Sequence, residues 1–461
     1  MMRGTSPIQK ISICKRVTKN RPPDLLAEVA MKSMKSLKET HLLYGREMTG
    51  AERRAYLRAP KLGRFEKLFA KLHKDLIPYY RSWMHDVPML VSTERDRELG
   101  ELQRILYRCC TYYAAHYQEY LGKISYDEKI LELLEYIREK EFHAGTFRPD
   151  YLICEDGSLR LCEITSRFFG NGYFLSFFTE FAGRVFAKEA QITDGHSYFE
   201  AFLTYMAELA GGREQLVILK SSDKSDSIRL YAPFYQALGI HVSIYEAQDV
   251  ERNLHKLRNA FVVSALNQKD LLSYSPDTLK YLADVDLHND FRTIFLLHDK
   301  RFFALFFDDT FTGKCLSEEE CRFLRAHVVP TYLAGTFRDI WEDARRNKDG
   351  YILKHRCLGK SESVYAGCLT AQEKWEGLCE SGQVEDMILQ PFMKQKLFPT
   401  VWNGMELKDY VCGTILTVDD RYFGTGLFRS STRPVINQTD AHKVAPVITD
   451  QFDRFDEPHI L

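Results

Sequence analysis

The feature that most constrains the fold is a pair of short apolar segments with a carboxylate near each outer end. Residues 151–154 and 159–164 are predicted to form β-strands, and the sequence EDGS joins them. Asp-Gly between such segments predicts a hairpin, because glycine supplies the positive φ that a tight turn requires. Asp150 then enters the first strand and Glu163 lies near the end of the second, so antiparallel pairing can place them side by side.

Two facing carboxylates point to a cation between them. Such groups repel one another unless a metal ion or a proton intervenes, so Asp150 and Glu163 predict a Mg²⁺ site. Arg148 lies two residues before Asp150 and can point the same way, offering a planar guanidinium to phosphate or carboxylate. The alternative is a surface hairpin with ordinary charged residues at its ends.

Composition and charge narrow the class of protein. At 461 residues the chain exceeds one ordinary core, so two or three domains are expected. The 63 Lys and Arg residues against 64 Asp and Glu leave a net charge of −1, which gives no general attraction to nucleic acid or anionic membranes. No apolar run approaches the length of a membrane span. We therefore expect neither nucleic acid nor membrane as a partner.

The cysteine pattern and residues 1–23 indicate in which compartment of the cell the protein is expected. Eleven cysteines are scattered without CxxC pairs, which is typical of reduced thiols in a cytoplasmic protein. Residues 1–23 contain six basic residues and no acidic residue, and we expect them to form a disordered tail. An organellar transit peptide is the alternative, since such segments are basic and poor in acids.

Hydrophobic periodicity divides the rest of the chain into four regions. Residues 24–142 show helical spacing throughout and predict a helical N-terminal region. Residues 143–212 contain the hairpin and a further helical segment. Residues 213–290 alternate strand, helix and strand, which predicts a Rossmann-like βαβ unit, although its first loop lacks the glycine fingerprint of dinucleotide binding. Residues 291–461 contain further strands and helices, among them a final hairpin of residues 411–418 and 422–428.

Two lysines lie in segments suited to nucleotide phosphates. Lys354 closes a strand and precedes a loop with one glycine and several small polar residues, whose backbone amides can cradle phosphate. Lys300 lies in the strongly apolar stretch 291–307, so its ammonium either reaches solvent or meets an anion. Residues 387–391 can offer backbone groups to the edge of an adenine. Taken singly, each lysine also fits a solvated or salt-bridged side chain.

The order of these segments resembles that of the circularly permuted ATP-grasp ligases, in particular the synthetase domain of glutathionylspermidine synthetase and its uncharacterised relatives. The succession is FRPD, LRLCEIT, LLHDKRFF, GYILKHRCLGKSES, MILQPF and YVCGTILTVDDRYFGTGLFRSS. The acids precede the lysines, as in the permuted order, and the resemblance covers residues 147–447. It implies an α/β (α+β) ATP-grasp fold with a helical N-terminal region and an inserted Rossmann-like subdomain.

The resemblance also implies roles for individual residues. Arg148 would contact the transferring phosphoryl group, and Arg429 would lie near the acceptor. Asp150 and Glu163 would bind Mg²⁺. The nucleotide-binding residues would be Lys300, Lys354, Gly359, Lys360, Ser361 and Gln390, with residues 359–363 as the closing loop and Gln390 at the adenine hinge.

Two departures from the family pattern concern the metal and the loop. The family usually has Glu-x-Asn, whereas this chain has Glu163-Ile164-Thr165, so the third metal ligand would be the weaker hydroxyl of Thr165. Asn171 is a candidate substitute. The closing loop contains one glycine where relatives often have two or three, which implies a stiffer closure.

The activity implied is that of an ATP-dependent carboxylate–amine ligase. With ATP and Mg²⁺ as cofactors, a small-molecule carboxylate would form an acylphosphate, which a small-molecule amine would attack to give an amide, ADP and phosphate. His298 and His355 are candidate bases for the amine, and His298 fits equally a hydrogen-bonded structural residue. The alternatives are a phosphotransferase on the same fold and a nucleotide-binding pseudoenzyme. A homodimer is a common default for such a protein.

Overall fold

The computed structural model describes residues 83–195, 198–211, 213–221, 228, 231–237, 240–359, 361–380, 384–436 and 441–452. The predicted tail 1–23, most of the first half of the predicted helical region, and Lys360 lie outside the described residues.

Strands and helices alternate through most of this part of the chain. The strands are β1 Met89–Val91, β2 Arg148–Ile153, β3 Leu159–Thr165, β4 Gln215–Lys220, β5 His241–Glu246, β6 Phe261–Ala265, β7 Leu287–His288, β8 Tyr332–Leu333, β9 Tyr351–His355, β10 Val364–Ala366, β11 Met387–Pro391, β12 Leu397–Trp402, β13 Met405–Val418, β14 Arg421–Thr425, β15 Phe428–Ser431, β16 His442–Val444 and β17 Pro446–Ile448. The α-helices are α1 Thr93–His116, α2 Glu128–Tyr136, α3 Tyr173–Ala190, α4 Tyr198–Leu209, α5 Tyr231–Ala237, α6 Val250–Asn253, α7 Gln268–Ser273, α8 Pro276–Asp284, α9 Asp309–Cys315, α10 Glu318–His327, α11 Arg338–Arg346 and α12 Gln372–Glu380.

Side-chain caps fix the starts of several helices. The hydroxyl of Ser92 accepts a hydrogen bond of 3.0 Å from the Arg95 backbone N–H, where α1 begins. Helix α10 begins with a capping box, in which Ser317 and Glu320 each bond the other's backbone N–H. Such caps satisfy N–H groups that have no partner inside the first turn.

The largest sheet contains the predicted hairpin and is antiparallel throughout. Its strands run in the order β16-β15-β13-β2-β3, and the long strand β13 also pairs with β12 and β14. The predicted hairpin is confirmed, with Asp150 opposite Glu163 and Gly157 at φ +80° in the turn. A bulge follows, because Tyr151 pairs with Leu161 and leaves Cys162 as an extra residue. Bulges of this kind re-aim neighbouring side chains.

A second, smaller antiparallel sheet has its own core. Its order is β10-β9-β11-β8, and it carries Lys354 on β9. The core residues beside it include Trp341, Leu353 and Trp375. Trp375 is fully buried and its indole N–H donates to the carbonyl of Ala344 at 2.9 Å. This sheet faces the seven-stranded one across a cleft.

A third sheet is parallel, in the order β5-β4-β6-β7. The predicted Rossmann-like alternation of strand and helix is confirmed in residues 215–265. All five residues of β6 are buried, as expected for a strand covered on both faces. The mixed α/β class is therefore confirmed, and the ATP-grasp and permutation assignments stay predictions.

The purely helical prediction for residues 24–142 is wrong at β1. This three-residue strand pairs in parallel with β17 near the other end of the described chain. One continuous apolar core then extends from Met84 to Ile448. A strand this short has no recognisable period, and its partner lies more than 350 residues away along the chain.

One other expectation needs correction. Residues 422–428, predicted as one strand, are split, because β14 ends at Thr425 and β15 begins at Phe428. The strongly apolar stretch 291–307 forms a π-helical turn, Thr293–Leu297, and a 3₁₀ helix, Lys300–Phe307. Within the described residues, we find no helix whose length and apolar character would let it cross a membrane.

We predict that Gly413→Ala destabilises the protein, because a Cβ at this position would lie 2.1 Å from Cζ of Tyr151 on the neighbouring strand. Such overpacking costs about 1–3 kcal/mol of unfolding free energy. The matched control is Gly377→Ala in α12, where no atom lies within 4 Å of the added Cβ. The control should be neutral or stabilising by up to about 1 kcal/mol. Equal denaturation midpoints for the two variants would contradict the packing assigned to Gly413.

Candidate functional site

A cleft between the two antiparallel sheets brings together most of the residues singled out in the sequence. Its empty space is about 880 Å³, open mouth included. The seven-stranded sheet contributes Asp150, Glu163 and Arg429, and the smaller sheet contributes Lys354 and Gln390. The bulge at Cys162 matters here, since it turns both Cys162 and Glu163 toward the cleft.

Asp150 is held between two arginines. Arg148 donates from Nε and Nη2 to the two carboxylate oxygens at 2.9 and 3.1 Å, and Arg429 donates from Nη2 at 2.5 Å. Burial alone would lower the pKa of Arg429, but the negative charge of Asp150 together with that of Cys412 and Glu163 raises it. Both arginines are thus fixed in direction by one buried carboxylate.

Glu163 faces the positive charges of the cleft. Its side chain is 27% exposed, and its Oε2 lies 3.6 Å from the ammonium of Lys300. Burial opposes ionisation of Glu163, but the charges of Lys300 and Lys354, followed by those of Arg429 and Arg148, lower its pKa. Glu163 is therefore a carboxylate at neutral pH and can serve as an oxygen ligand.

The two lysines differ in their partners. Lys300 Nζ donates to the carbonyl of Leu358 at 2.7 Å, which ties it to the start of the predicted closing loop. Lys354 lines the cleft and is 8% exposed. Among the described residues, its ammonium makes neither a hydrogen bond nor an ion pair. A buried charge without a partner is costly, so the position favours an anion supplied from outside the chain.

The charges around the cleft do not balance. Among the described residues that line the cleft or pair with its carboxylates, four cations stand against two carboxylates. Lys354 and Arg429 line the cleft, and Arg148 and Lys300 pair with Asp150 and Glu163, which leaves an excess of two positive charges. A cleft with low-dielectric walls concentrates such a field. The arrangement is suited to a polyanion.

The cleft has an apolar wall and, on Gln390, a buried acceptor. Leu152, Val329 and Ile352 form part of the wall. Gln390 donates from Nε2 to the hydroxyl of Thr331 at 2.8 Å. Its Oε1 is buried and has no hydrogen-bond partner in the described part of the chain. That oxygen can therefore accept a hydrogen bond from a molecule in the cleft.

The predicted closing loop is divided between two cavities. Ser361 lines the cleft, with φ +58°, and its hydroxyl donates to the carbonyl of Ile436 at 3.2 Å. Gly359 lines a neighbouring cavity, where an added Cβ would lie 3.2 Å from the guanidinium of Arg167. Lys360 lies outside the described residues.

The structure does not bring Thr165 to the cleft. Thr165 pairs with Arg148 at the end of the hairpin and is absent from the described residues that line the cavity. Asn171, the candidate substitute, accepts a hydrogen bond from Arg148 through its backbone carbonyl at 3.0 Å. The metal ligands available from the cleft lining are therefore Asp150 and Glu163.

His298 fits the structural role rather than that of a base. Its ring nitrogens lie 3.2 Å from the carbonyl of Ile164 and 3.1 Å from that of Cys357. Burial, followed by the charges of Lys300 and Arg167, lowers the pKa of His298 to about 3. His355 caps the loop, since its Nδ1 accepts from the backbone N–H groups of residues 357 and 358.

Several lining residues were missed by sequence reasoning. Cys412 lies on β13 beside Arg429, and Met393, Gln395 and residues 434–436 also line the cleft. The pairing of β13 with β2 places Cys412 there, next to the bulge of the hairpin. No local pattern in the sequence indicates either feature.

Comparisons with known proteins give a partial match to a family model and a likeness to solved structures. A family model described as the AnkG N-terminal domain matches residues 102–296, which is less than half of the chain. No curated protein matches the sequence. A solved structure of a glutathione synthetase-like effector (GSS30) from Globodera pallida, in its apo form, has a TM-score of 0.50 and 13% identity, and the match covers 93% of this chain and 98% of that one. At that identity the likeness is one of fold.

We predict that His298 makes the protein less stable as the pH falls below 6.5. Its native pKa is about 3 against an ordinary 6.5, so the unfolded chain takes up a proton in this window and the native chain does not. The free energy of unfolding should then decrease by up to about 1.4 kcal/mol per pH unit through this group. Denaturant unfolding of His298→Gln between pH 6.5 and 4.5 should show a shallower slope.

The matched control is His116→Gln, because the His116 side chain is 46% exposed. It should retain the wild-type slope. A slope in His298→Gln as steep as that of the wild type would show that His298 is not held neutral.

Proposed function

We propose that this protein is an ATP-dependent carboxylate–amine ligase with a circularly permuted ATP-grasp domain that uses Mg²⁺. The observation that carries the proposal is Lys354, a buried ammonium that forms neither a hydrogen bond nor an ion pair with any described residue, in a cleft with excess positive charge. The triphosphate group of a nucleotide is a common biological anion, and its negative charge matches the excess positive charge of the cleft. The likeness of fold to a glutathione synthetase-like protein supports the same class of reaction.

The residues of the cleft are suited to the separate parts of a nucleotide. Lys354 and Lys300 would neutralise the phosphates from the side of the smaller sheet and the loop. Gln390 Oε1, which lacks a partner among the described residues, would accept a hydrogen bond from an adenine amino group. The apolar wall formed by Leu152 and Ile352 would pack against the base.

The carboxylates fit Mg²⁺, which prefers oxygen ligands and keeps several waters. Glu163 is ionised and partly exposed, so it is the principal candidate ligand. Asp150 would share its oxygens between the metal and the two arginines that already bind it. The metal would supply charge neutralisation at the transferring phosphate.

Positioning and charge neutralisation would supply most of the catalysis. The substrate carboxylate would attack the terminal phosphate to form an acylphosphate, and the amine would then displace phosphate to form the amide. Arg148 and Arg429, oriented by Asp150, would neutralise charge on the transferring group. No protein nucleophile is required, and Cys162 is unsuited to that role, since a hydrogen bond with Cys412 and burial raise its pKa.

A nucleotide-binding protein without turnover is the second candidate. It is favoured by the position of Thr165 outside the cleft lining and by the engagement of both Asp150 oxygens with arginine. Such a protein would bind ATP in the same cleft but would hold the metal too weakly for phosphoryl transfer.

We predict that the purified protein, given ATP, Mg²⁺ and mixtures of carboxylate and amine substrates, releases ADP and phosphate only when both substrate classes are present. Glu163→Gln should lower this rate by at least about 100-fold, because it removes an ionised metal ligand. The control Glu373→Gln changes an exposed carboxylate on α12 and should retain the activity. Thermal unfolding of both variants would establish that the fold is retained.

The other outcomes separate the candidates. Phosphate that stays attached to a stable acceptor would indicate a phosphotransferase. Stabilisation by nucleotide without turnover would support the second candidate. Release of AMP and pyrophosphate would refute an acylphosphate ligase. Unchanged activity of Glu163→Gln would refute the metal site.

A further inference from the structure

A second group of polar side chains lies on the other face of the seven-stranded sheet. His85, Asp409 and His442 offer ligand atoms that all lie within 4.8 Å of one another. Successive residues of a strand point to opposite faces. Because Cys412 on β13 lines the nucleotide cleft, Asp409, three residues earlier, points away from it. We call these three residues the histidine–aspartate cluster.

The spacing within the cluster is close to that of metal ligands. His85 Nε2 lies 3.4 Å from Asp409 Oδ2, and His442 Nδ1 lies 4.0 Å from the same oxygen. A tetrahedral ion with bonds of about 2.1 Å holds its ligand atoms roughly 3.4 Å apart. One contact already has this value, the second is longer by about 0.6 Å, and the third pair, His85 with His442, lies within 4.8 Å, so binding requires the ligands to draw together.

Ser430 lies between His85 and Asp409. Ser430 Oγ lies 2.7 Å from His85 Nε2 and 2.8 Å from Asp409 Oδ2, while His85 Nδ1 lies 3.1 Å from the carbonyl oxygen of Val401. A donor at Nδ1 toward that carbonyl leaves Nε2 as an acceptor directed into the cluster, which is the form of imidazole that binds a metal ion.

Two other atoms of the cluster lack hydrogen bonds within the described part of the chain. They are Asp409 Oδ1 and His442 Nδ1, and both are buried. The Asp409 side chain has no exposed surface. A metal ion at the centre of the cluster would bind His442 Nδ1, draw in the carboxylate and take the place of Ser430 at His85 Nε2.

The surroundings hold both imidazoles in orientation. The contact from His85 Nδ1 to the Val401 carbonyl is the kind of outer hydrogen bond that directs the other ring nitrogen at a metal. The ring of His442 stacks on Trp402, with centroids 4.3 Å apart and planes 18° from parallel. His442 is 17% exposed, which leaves a path for an ion and a water molecule.

We infer that the histidine–aspartate cluster binds one divalent transition-metal ion of the Zn²⁺ class through His85 Nε2, Asp409 and His442 Nδ1, with water as the fourth ligand. Two imidazoles and one carboxylate suit Zn²⁺ or Co²⁺ better than Mg²⁺. The ion would join three segments that are far apart in sequence: the residues before β1, the strand β13 and the strand β16. This site is independent of the proposed ligase activity.

The test uses the full-length protein, freed of metal with a chelator and then given one equivalent of Co²⁺ in the presence of excess Mg²⁺. We expect one Co²⁺ per chain after gel filtration and visible d–d bands of a low-coordinate site. There should be no thiolate charge-transfer band, because no cysteine belongs to the cluster. Zn²⁺ should displace Co²⁺, which abolishes the d–d bands, and should raise the melting temperature by several degrees.

The variant His442→Gln should lose the Co²⁺ bands and the shift in melting temperature, and the control His116→Gln should keep both. Co²⁺ bands of equal strength in His442→Gln, absence of bound Co²⁺ from the wild type, or a thiolate band would each overturn the inference. If His442→Gln does not fold, the wild-type protein alone decides: bound Co²⁺ with d–d bands and no thiolate band supports the inference, and any other result overturns it.

Discussion

The buried positive charge between the two antiparallel sheets is the constraint on which the rest of the site depends. Arg148 and Arg429 are compensated by Asp150, and Lys300 by Glu163 and a carbonyl group. Lys354 has no such partner among the described residues. A folded chain retains an uncompensated buried charge at a cost of several kcal/mol unless something binds there. A triphosphate with its metal ion would supply the missing negative charge, and this charge match is the basis on which we propose a nucleotide-dependent reaction.

One strand connects the two proposed sites. The cleft face of β13 carries Cys412, which lies beside Arg429 of β15, and its opposite face carries Asp409, which accepts a hydrogen bond from Ser430 of β15. Alternation along two paired strands thus sends neighbouring residues to opposite sides of the sheet. A metal ion in the histidine–aspartate cluster would stiffen the strand that positions the arginine, without contact with the nucleotide.

The hairpin could be predicted from sequence because its signals are local: alternating strands, an Asp-Gly turn and acids at fixed distances from it. The strands of the parallel sheet could also be predicted from a local signal, namely the alternation of strand and helix along residues 215–265. The bulge at Cys162, the pairing of β1 with β17 and the approach of His85 to Asp409 depend on contacts between segments hundreds of residues apart, or on one extra residue in a ladder. The order of motifs predicted that Asp150, Glu163, Lys354, Gln390 and Arg429 share one site, but not that Thr165 lies outside the cleft lining or that Lys354 forms no ion pair with the described residues.

The most direct test of the account is a crystal structure of the protein with Mg²⁺ and a non-hydrolysable ATP analogue. The account predicts a triphosphate in contact with Lys354 and Lys300, a metal ion on Glu163, and the base against Gln390. Nucleotide bound at another surface, or a saturated crystal in which Lys354 makes no contact with phosphate, would contradict it.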